Sequence, residues 1–171
     1  GICLGMQIAV IEYARNAAGI KDADSGEFDE QCRHKVIDFM PGQNEDIDKG
    51  GTLRLGAYPC VIKPNTMMEK CYGTDMISER HRHRYEFNND YRQTLQDCGL
   101  TFSGTSPDGR LVETVELTDK EFYVGVQYHP EFKSRPDKPH PLFKGFIGAA
   151  LAHSGRKVSA GEASGMAVSA G

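Results

Sequence analysis

A chain of 171 residues with a formal charge of −4 has room for one domain with a real core and not for two large ones. So mild an acidity gives no reason to expect nucleic-acid or anionic-membrane binding over the whole surface. The five cysteines, Cys3, Cys32, Cys60, Cys71 and Cys98, are odd in number and widely spaced, which speaks against a disulfide framework and for a reducing, cytoplasmic setting. No apolar run approaches the roughly 18 residues of a membrane span, and no signal-peptide pattern is present.

The chain opens with GICLGMQ, residues 1–7, and Met6, Ala9, Val10, Tyr13, Ala14 and Ala17 follow at helical spacing. Ile8 and Ile11 lie off that stripe, so the helix is expected to be covered on more than one side, with Gly19 as its stop. Residues 35–40 read as a strand, 41–51 (PGQNEDIDKGG) as an acidic loop and 52–56 (TLRLG) as a half-buried strand. Thr66 and Glu69 have capping-box spacing for one short helix. Residues 79–87 (ERHRHRYEF) alternate, which predicts Arg80, Arg82, Arg84 and Glu86 on one face and His81, His83, Tyr85 and Phe87 on the other. Residues 91–98 suit a helix ended by Gly99, and strands over 100–105 and 111–115 flank the turn SPDG. A strand over 122–127 runs into YHPEF. Leu142, Phe143, Phe146, Ile147, Ala150 and Leu151 predict a closing amphipathic helix, and small polar residues make 153–171 an expected disordered tail. An early helix, a strand-rich middle and a late helix suit an α/β sheet with an antiparallel extension.

Two short stretches carry the chemistry. In a G-x-nucleophile-x-G turn the central residue is strained and its neighbours must lack bulk. Such a turn puts the Cys3 sulfur at a helix N-terminus, where unpaired N–H groups favour thiolate, and leaves the Leu4 N–H free to donate to an oxyanion. A buried, inert cysteine is the plainer reading of the same residues. Acyl transfer by a thiolate needs a proton carrier held by a third group. His129 follows a strand, Pro130 ends that strand, and Glu131 lies two residues on, where it can hold the imidazole. A solvated His and Glu is the plainer reading of HPE by itself. The pair His81-x-His83, with Cys32 and His34, lacks the spacing of a metal site.

GICLGMQ together with VGVQYHPEF resembles the class I, triad-type glutamine amidotransferases. GGTLRLG (50–56), ERHRHRYEFN (79–88), SPDGRLVE (106–113) and HPLFKGF (140–146) extend the likeness to the glutaminase domain of the CTP synthase family, over roughly residues 1–152. The resemblance implies part of a flavodoxin-like open sheet and a Cys3, His129, Glu131 triad that hydrolyses L-glutamine through a thioester. It carries glutamine binding onto Leu4, Gln7, Glu27 and Arg84. Glu27 would meet the substrate ammonium and Arg84 its α-carboxylate; DSGEF stands where the family pattern has STEF. No cofactor is implied for these residues. A synthetase domain outside them would use ATP and Mg²⁺ to aminate UTP, with GTP as effector, residues 41–51 as a candidate contact for it, and a homo-tetramer as the assembly.

An enzyme of this type also needs a strand leading into the elbow and a second oxyanion donor, and neither stretch precedes Gly1. No GxxxxGK[ST] is present either. The expectation is therefore a C-terminal piece of a longer ligase, inactive when isolated. Two alternatives stay open: another amidotransferase, such as a GMP-synthase type or a γ-glutamyl hydrolase, and a non-catalytic domain that keeps the fold.

Overall fold

The computed structural model describes residues 1–39 and 53–155. The acidic loop 41–51 and all but the first three residues of the expected tail lie outside them.

Helix α1 runs over Leu4–Asn16; Met6, Val10 and Ala14 of the predicted stripe are buried, and so are Gln7 and Ile11 beside it. Gly19, at φ 73°, lies just past its end. Cover beyond the stripe extends to Ile11, which is buried, but not to Ile8, which stays 47% exposed. Instead Ile2, Ile8, Phe122, Val124, Phe143 and Phe146 line an open apolar groove of about 760 Å³. The chain then forms β1 (Ala23–Ser25) and β2 (His34–Phe39), which pair in parallel. A strand of three residues is too short for periodicity to reveal, and the sequence reading passed over β1.

The strand expected over 52–56 is longer and later, β3 over Arg54–Ile62. It tolerates Pro59 because β6 (Thr101–Thr105) pairs with it only at Val61 and Ile62, so no ladder partner needs an N–H at residue 59. Helix α2 covers Met67–Tyr72 and begins as the capping-box spacing requires: the Thr66 hydroxyl accepts from the Glu69 N–H at 3.2 Å, and the Glu69 carboxylate accepts from the Asn65 N–H at 2.7 Å. The buried Glu116 carboxylate accepts from the Met67 and Met68 N–H groups and completes the cap.

The alternating stretch is two strands, not one. β4 (Met76–His83) pairs along β3, whereas β5 (Tyr85–Phe87) pairs with β2 in the other sheet. The break at Arg84 changes the parity of the alternation. His81 and His83 are buried as expected, but Glu86 is buried with them rather than standing beside Arg80 and Arg82.

A 3-10 turn over Asn89–Tyr91 leads into α3 (Arg92–Asp97), and Gly99 follows at φ 105°. Strand β7 is Val112–Glu116, β8 is Val124–Val126 and α4 is Pro141–His153. The five-stranded antiparallel sheet has the order β4-β3-β6-β7-β8, and the three-stranded sheet the order β1-β2-β5. Met6, Val10, Ile37, Leu100 and Val115 fill the core between α1 and the sheets, while Cys60, Ile62, Met68, Tyr128 and Leu142 fill a second one beneath α2 and α4. The architecture is mixed α/β with a curled antiparallel extension. Among the described residues no helix is long and apolar enough to cross a membrane.

Candidate active site

Residues 1–3 lie alongside β8. The Gly1 ammonium donates to the Val124 carbonyl at 2.9 Å, the Val126 N–H to the Gly1 carbonyl at 2.9 Å and the Cys3 N–H to the Val126 carbonyl at 2.7 Å. From this parallel pairing the chain turns into α1 within one residue, so Cys3 takes φ 50° and ψ −109°, a strained conformation for a side chain with a Cβ. The two flanking glycines serve differently. A Cβ on Gly1 would lie 2.6 Å from the Gly5 carbonyl oxygen, whereas a Cβ on Gly5 would meet nothing within 4 Å.

Beyond β8 the chain runs through Gln127 and Tyr128, both fully buried, to His129, whose N–H donates to the Arg80 carbonyl of β4 at 2.8 Å. The Cys3 sulfur lies 3.9 Å from the Arg82 carbonyl of the same strand. Carbonyls two residues apart on a strand point the same way and sit about 7 Å apart. The edge of β4 therefore holds the Cys3 sulfur and the His129 backbone two carbonyls apart, from positions 126 residues apart in sequence.

His129 Nδ1 is 2.7 Å from Glu131 Oε1, so Nδ1 carries the proton toward the carboxylate. Nε2 is left buried, with no partner among the described residues. Phe132 stacks on the ring at 5.0 Å between centroids and holds its plane.

Burial pushes the half-buried Cys3 thiol above its ordinary value; the Leu4 N–H and the Gln127 amide pull it down, and the charges of Glu131 and Glu27 push it up. The net shift is therefore away from thiolate, the opposite of the expectation from the helix terminus, because desolvation exceeds the effect of the N–H groups.

Glu27 is exposed on the rim, close enough for its charge to act on Cys3. At Tyr85, burial raises the hydroxyl pKa, the Glu27 charge adds to that and the Arg84 charge opposes it. Glu27 and Arg84 thus both lie near enough to the Tyr85 hydroxyl for their charges to act on it. Gln7 is buried, and its terminal NH₂ donates to the Tyr85 carbonyl at 3.0 Å and to Gln127 Oε1 at 3.1 Å. Only its amide oxygen remains for a substrate. The ring nitrogens of His81 and His83 face each other at 2.8 Å instead of opening toward a shared ion.

Sequence reasoning missed a buried ionic cluster beneath this spot. Arg54 donates to Glu113 through both terminal nitrogens, at 2.8 and 3.2 Å, and to Glu86 at 3.1 Å. These residues come from the GGTLRLG, SPDGRLVE and ERHRHRYEFN stretches. Only Glu113, in phase with Leu111 and Val115, offered a signal; Arg54 and Glu86 stand in the polar phase of their stretches. The Tyr85 carbonyl can only accept, so His83 Nδ1 is protonated; His83 Nε2 then accepts from His81 Nδ1, and His81 Nε2 is left bare, 3.7 Å from Glu113. Burial and the nearby Arg54 charge lower His81 to about 2 and His83 to about 3, while burial raises Glu86 to about 8.

These shifts fix the sign of a pH dependence. Between its unfolded value of 4.5 and about 8, Glu86 keeps a proton in the folded chain that the unfolded chain releases. Stability therefore falls as pH rises through that window, by about 1.4 kcal/mol per unit from this group. Glu113, raised by burial, acts in the same direction. Below pH 6.5 the unfolded chain takes up two histidine protons that the folded chain refuses, and stability falls on that side too. The cluster should give a stability maximum near pH 6.5. Glu86→Gln should flatten the alkaline limb, as read from urea midpoints at pH 6.5 and 8.5. An equal alkaline loss in the variant refutes this assignment.

Residues 1–149 match the family model described as glutamine amidotransferase class-I. The CTP synthase of Rubrobacter xylanophilus is 60% identical over 151 residues, which are 88% of this chain and 27% of that protein. The CTP synthase of Carboxydothermus hydrogenoformans is 61% identical, over 88% of this chain and 28% of that protein. The chain thus spans little more than a quarter of the length of these relatives. Among solved structures, the Trypanosoma brucei CTPS glutaminase domain with bound acivicin superposes with a TM-score of 0.82 at 36% identity, covering 93% of this chain and 61% of that one. With an elbow cysteine, a carboxylate-held histidine and a family match over nearly all the described residues, the chain belongs to the class-I glutamine amidotransferases.

Proposed function

We propose that the chain is the glutaminase portion of a CTP synthase and that Cys3, His129 and Glu131 are its catalytic triad. The observation that carries the reading is the His129 imidazole, held at Nδ1 by Glu131 and unpartnered at Nε2, on a residue whose backbone meets the same strand edge as the strained Cys3. The high identity to CTP synthases over most of the chain supports the choice among amidotransferases.

In this reading Cys3 Sγ loses its proton to His129 Nε2 and attacks the side-chain carbonyl carbon of L-glutamine. The Leu4 N–H faces the resulting oxyanion, and a second donor comes from residues outside this chain. His129 returns the proton to the departing nitrogen, ammonia leaves, and a γ-glutamyl thioester remains. Water, deprotonated by the same nitrogen, then releases glutamate and the thiol. Glu131 keeps the ring in the required tautomer. Glu27 takes the substrate ammonium, Arg84 the α-carboxylate and Gln7 a hydrogen bond through its remaining oxygen. Residues 1–152 form this part of the amidotransferase unit and 153–171 a tail. The ammonia serves ATP- and Mg²⁺-dependent amination of UTP on a synthetase domain of the same, homo-tetrameric protein, with GTP as effector. Five free thiols suit a cytoplasmic enzyme.

Treatment of the full-length protein with a glutamine-analogue electrophile, followed by peptide mass spectrometry, tests the reading. The expected product is one adduct per chain, on Cys3. Labelling elsewhere, or none, overturns the triad.

A further inference from the structure

The side chain of Gln127 is fully buried at the end of β8, and no step of the proposed reaction uses it. Its Nε2 lies 3.7 Å from the Cys3 sulfur. We infer that Gln127 is a positioning residue that presents a fixed hydrogen-bond donor to the Cys3 sulfur, oriented through Gln7. The inference rests on the reading of Cys3 as nucleophile and deepens it.

The orientation of the amide follows from a chain of forced choices. The Tyr85 carbonyl oxygen can only accept, so the Gln7 terminal group facing it at 3.0 Å is the NH₂. That same nitrogen lies 3.1 Å from the nearest terminal atom of Gln127, which must then be the oxygen. With its oxygen turned to Gln7, Gln127 has only its NH₂ to offer the sulfur. The Gln127 N–H on the backbone donates to the Glu113 carbonyl at 2.8 Å, so the residue cannot slide along the strand. One backbone carbonyl thus sets two side-chain amides and, through them, the polarity facing the thiol.

A donor in that position favours the thiolate over the thiol. It is needed because desolvation and the charges of Glu131 and Glu27 all oppose ionisation. A flipped amide would set an oxygen against the sulfur and add to that opposition. Gln7 prevents the flip.

The test uses the full-length protein and the pH dependence of Cys3 alkylation by iodoacetamide, followed on the Cys3 peptide. Gln127→Met keeps the apolar bulk and removes the donor, and the alkylation midpoint should rise by about one pH unit. Gln7→Met leaves the donor but frees the amide to flip, and should raise the midpoint by less. If Gln127→Met does not fold, as judged by circular dichroism, the Gln7→Met midpoint decides alone. An unchanged midpoint in a folded variant overturns the inference. Alkylation requires only a thiol, so this outcome is separate from that of the glutamine-analogue experiment. A protein unlabelled by the analogue but shifted by Gln127→Met would refute the triad and leave the amide contact standing.

Discussion

Cys3→Ala in the full-length protein is expected to reduce glutamine-dependent CTP formation by on the order of 10⁴-fold or more, while CTP formation from added ammonia continues at the wild-type rate. The sulfur forms the only covalent bond to substrate in the proposed route, and nothing else at the spot can replace it: His129 Nε2 is placed to move protons and Glu131 is held by Nδ1. Ammonia supplied from solution bypasses that step entirely. Steady-state rates with each nitrogen donor make the comparison, and equal loss of both activities would refute the division of labour. The positive φ at Cys3 adds a control. Cys3→Gly relieves the strain at the elbow and should also be inactive, so stability and activity would move in opposite directions.

Arg54→Met is expected to cost about 3–5 kcal/mol of stability, because it leaves the buried Glu113 without its twofold cationic partner and Glu86 without the donor it faces. For a unit of this size the thermal midpoint should fall by on the order of 10 °C. The guanidinium stays charged despite its burial, since Glu113 and Glu86 more than offset the desolvation. Adding Glu113→Leu and Glu86→Gln to Arg54→Met should recover much of the loss, as apolar replacement of a whole buried ionic group often does. A midpoint unchanged within 2 °C in Arg54→Met would mean that water already reaches the cluster; 2 °C is about the effect of half a kcal/mol.

Much of this was legible in the sequence, for reasons that differ by element. The elbow was legible because Gly1 and Cys3 encode a steric demand over three residues; the pairing within HPE was legible too, but by another route than extended chain, since a 3-10 turn over Pro130–Lys133 brings the Glu131 carboxylate back to the imidazole. The SPDG turn and the ends marked by Gly19 and Gly99 follow from local φ preference, and all three glycines sit at positive φ. What was not legible depended on partners distant in the chain. Glu86 lies inside because the chain changes sheets at Arg84, and nothing in an alternating string announces a change of sheet. Arg54 and Glu113 are 59 residues apart and meet only because β3, β6 and β7 are neighbours. The ionisation of Cys3 turns on how deeply the sulfur is buried, a property of the packed molecule rather than of GICLG. Gln127 stood in a quoted motif, but its importance lies in what it faces.

The pairing of residues 1–3 with β8 has a mechanical consequence. Nucleophile and proton carrier are anchored to a common rail: three short backbone bonds tie the first residues to Val124 and Val126, and His129 follows three residues past the end of that strand. When this rail drifts within the molecule, sulfur and imidazole travel together and their separation is preserved to first order. Tolerance to thermal jitter is thus built into the layout, and a substitution that loosens those few bonds should blur the alignment of the pair before it melts the fold.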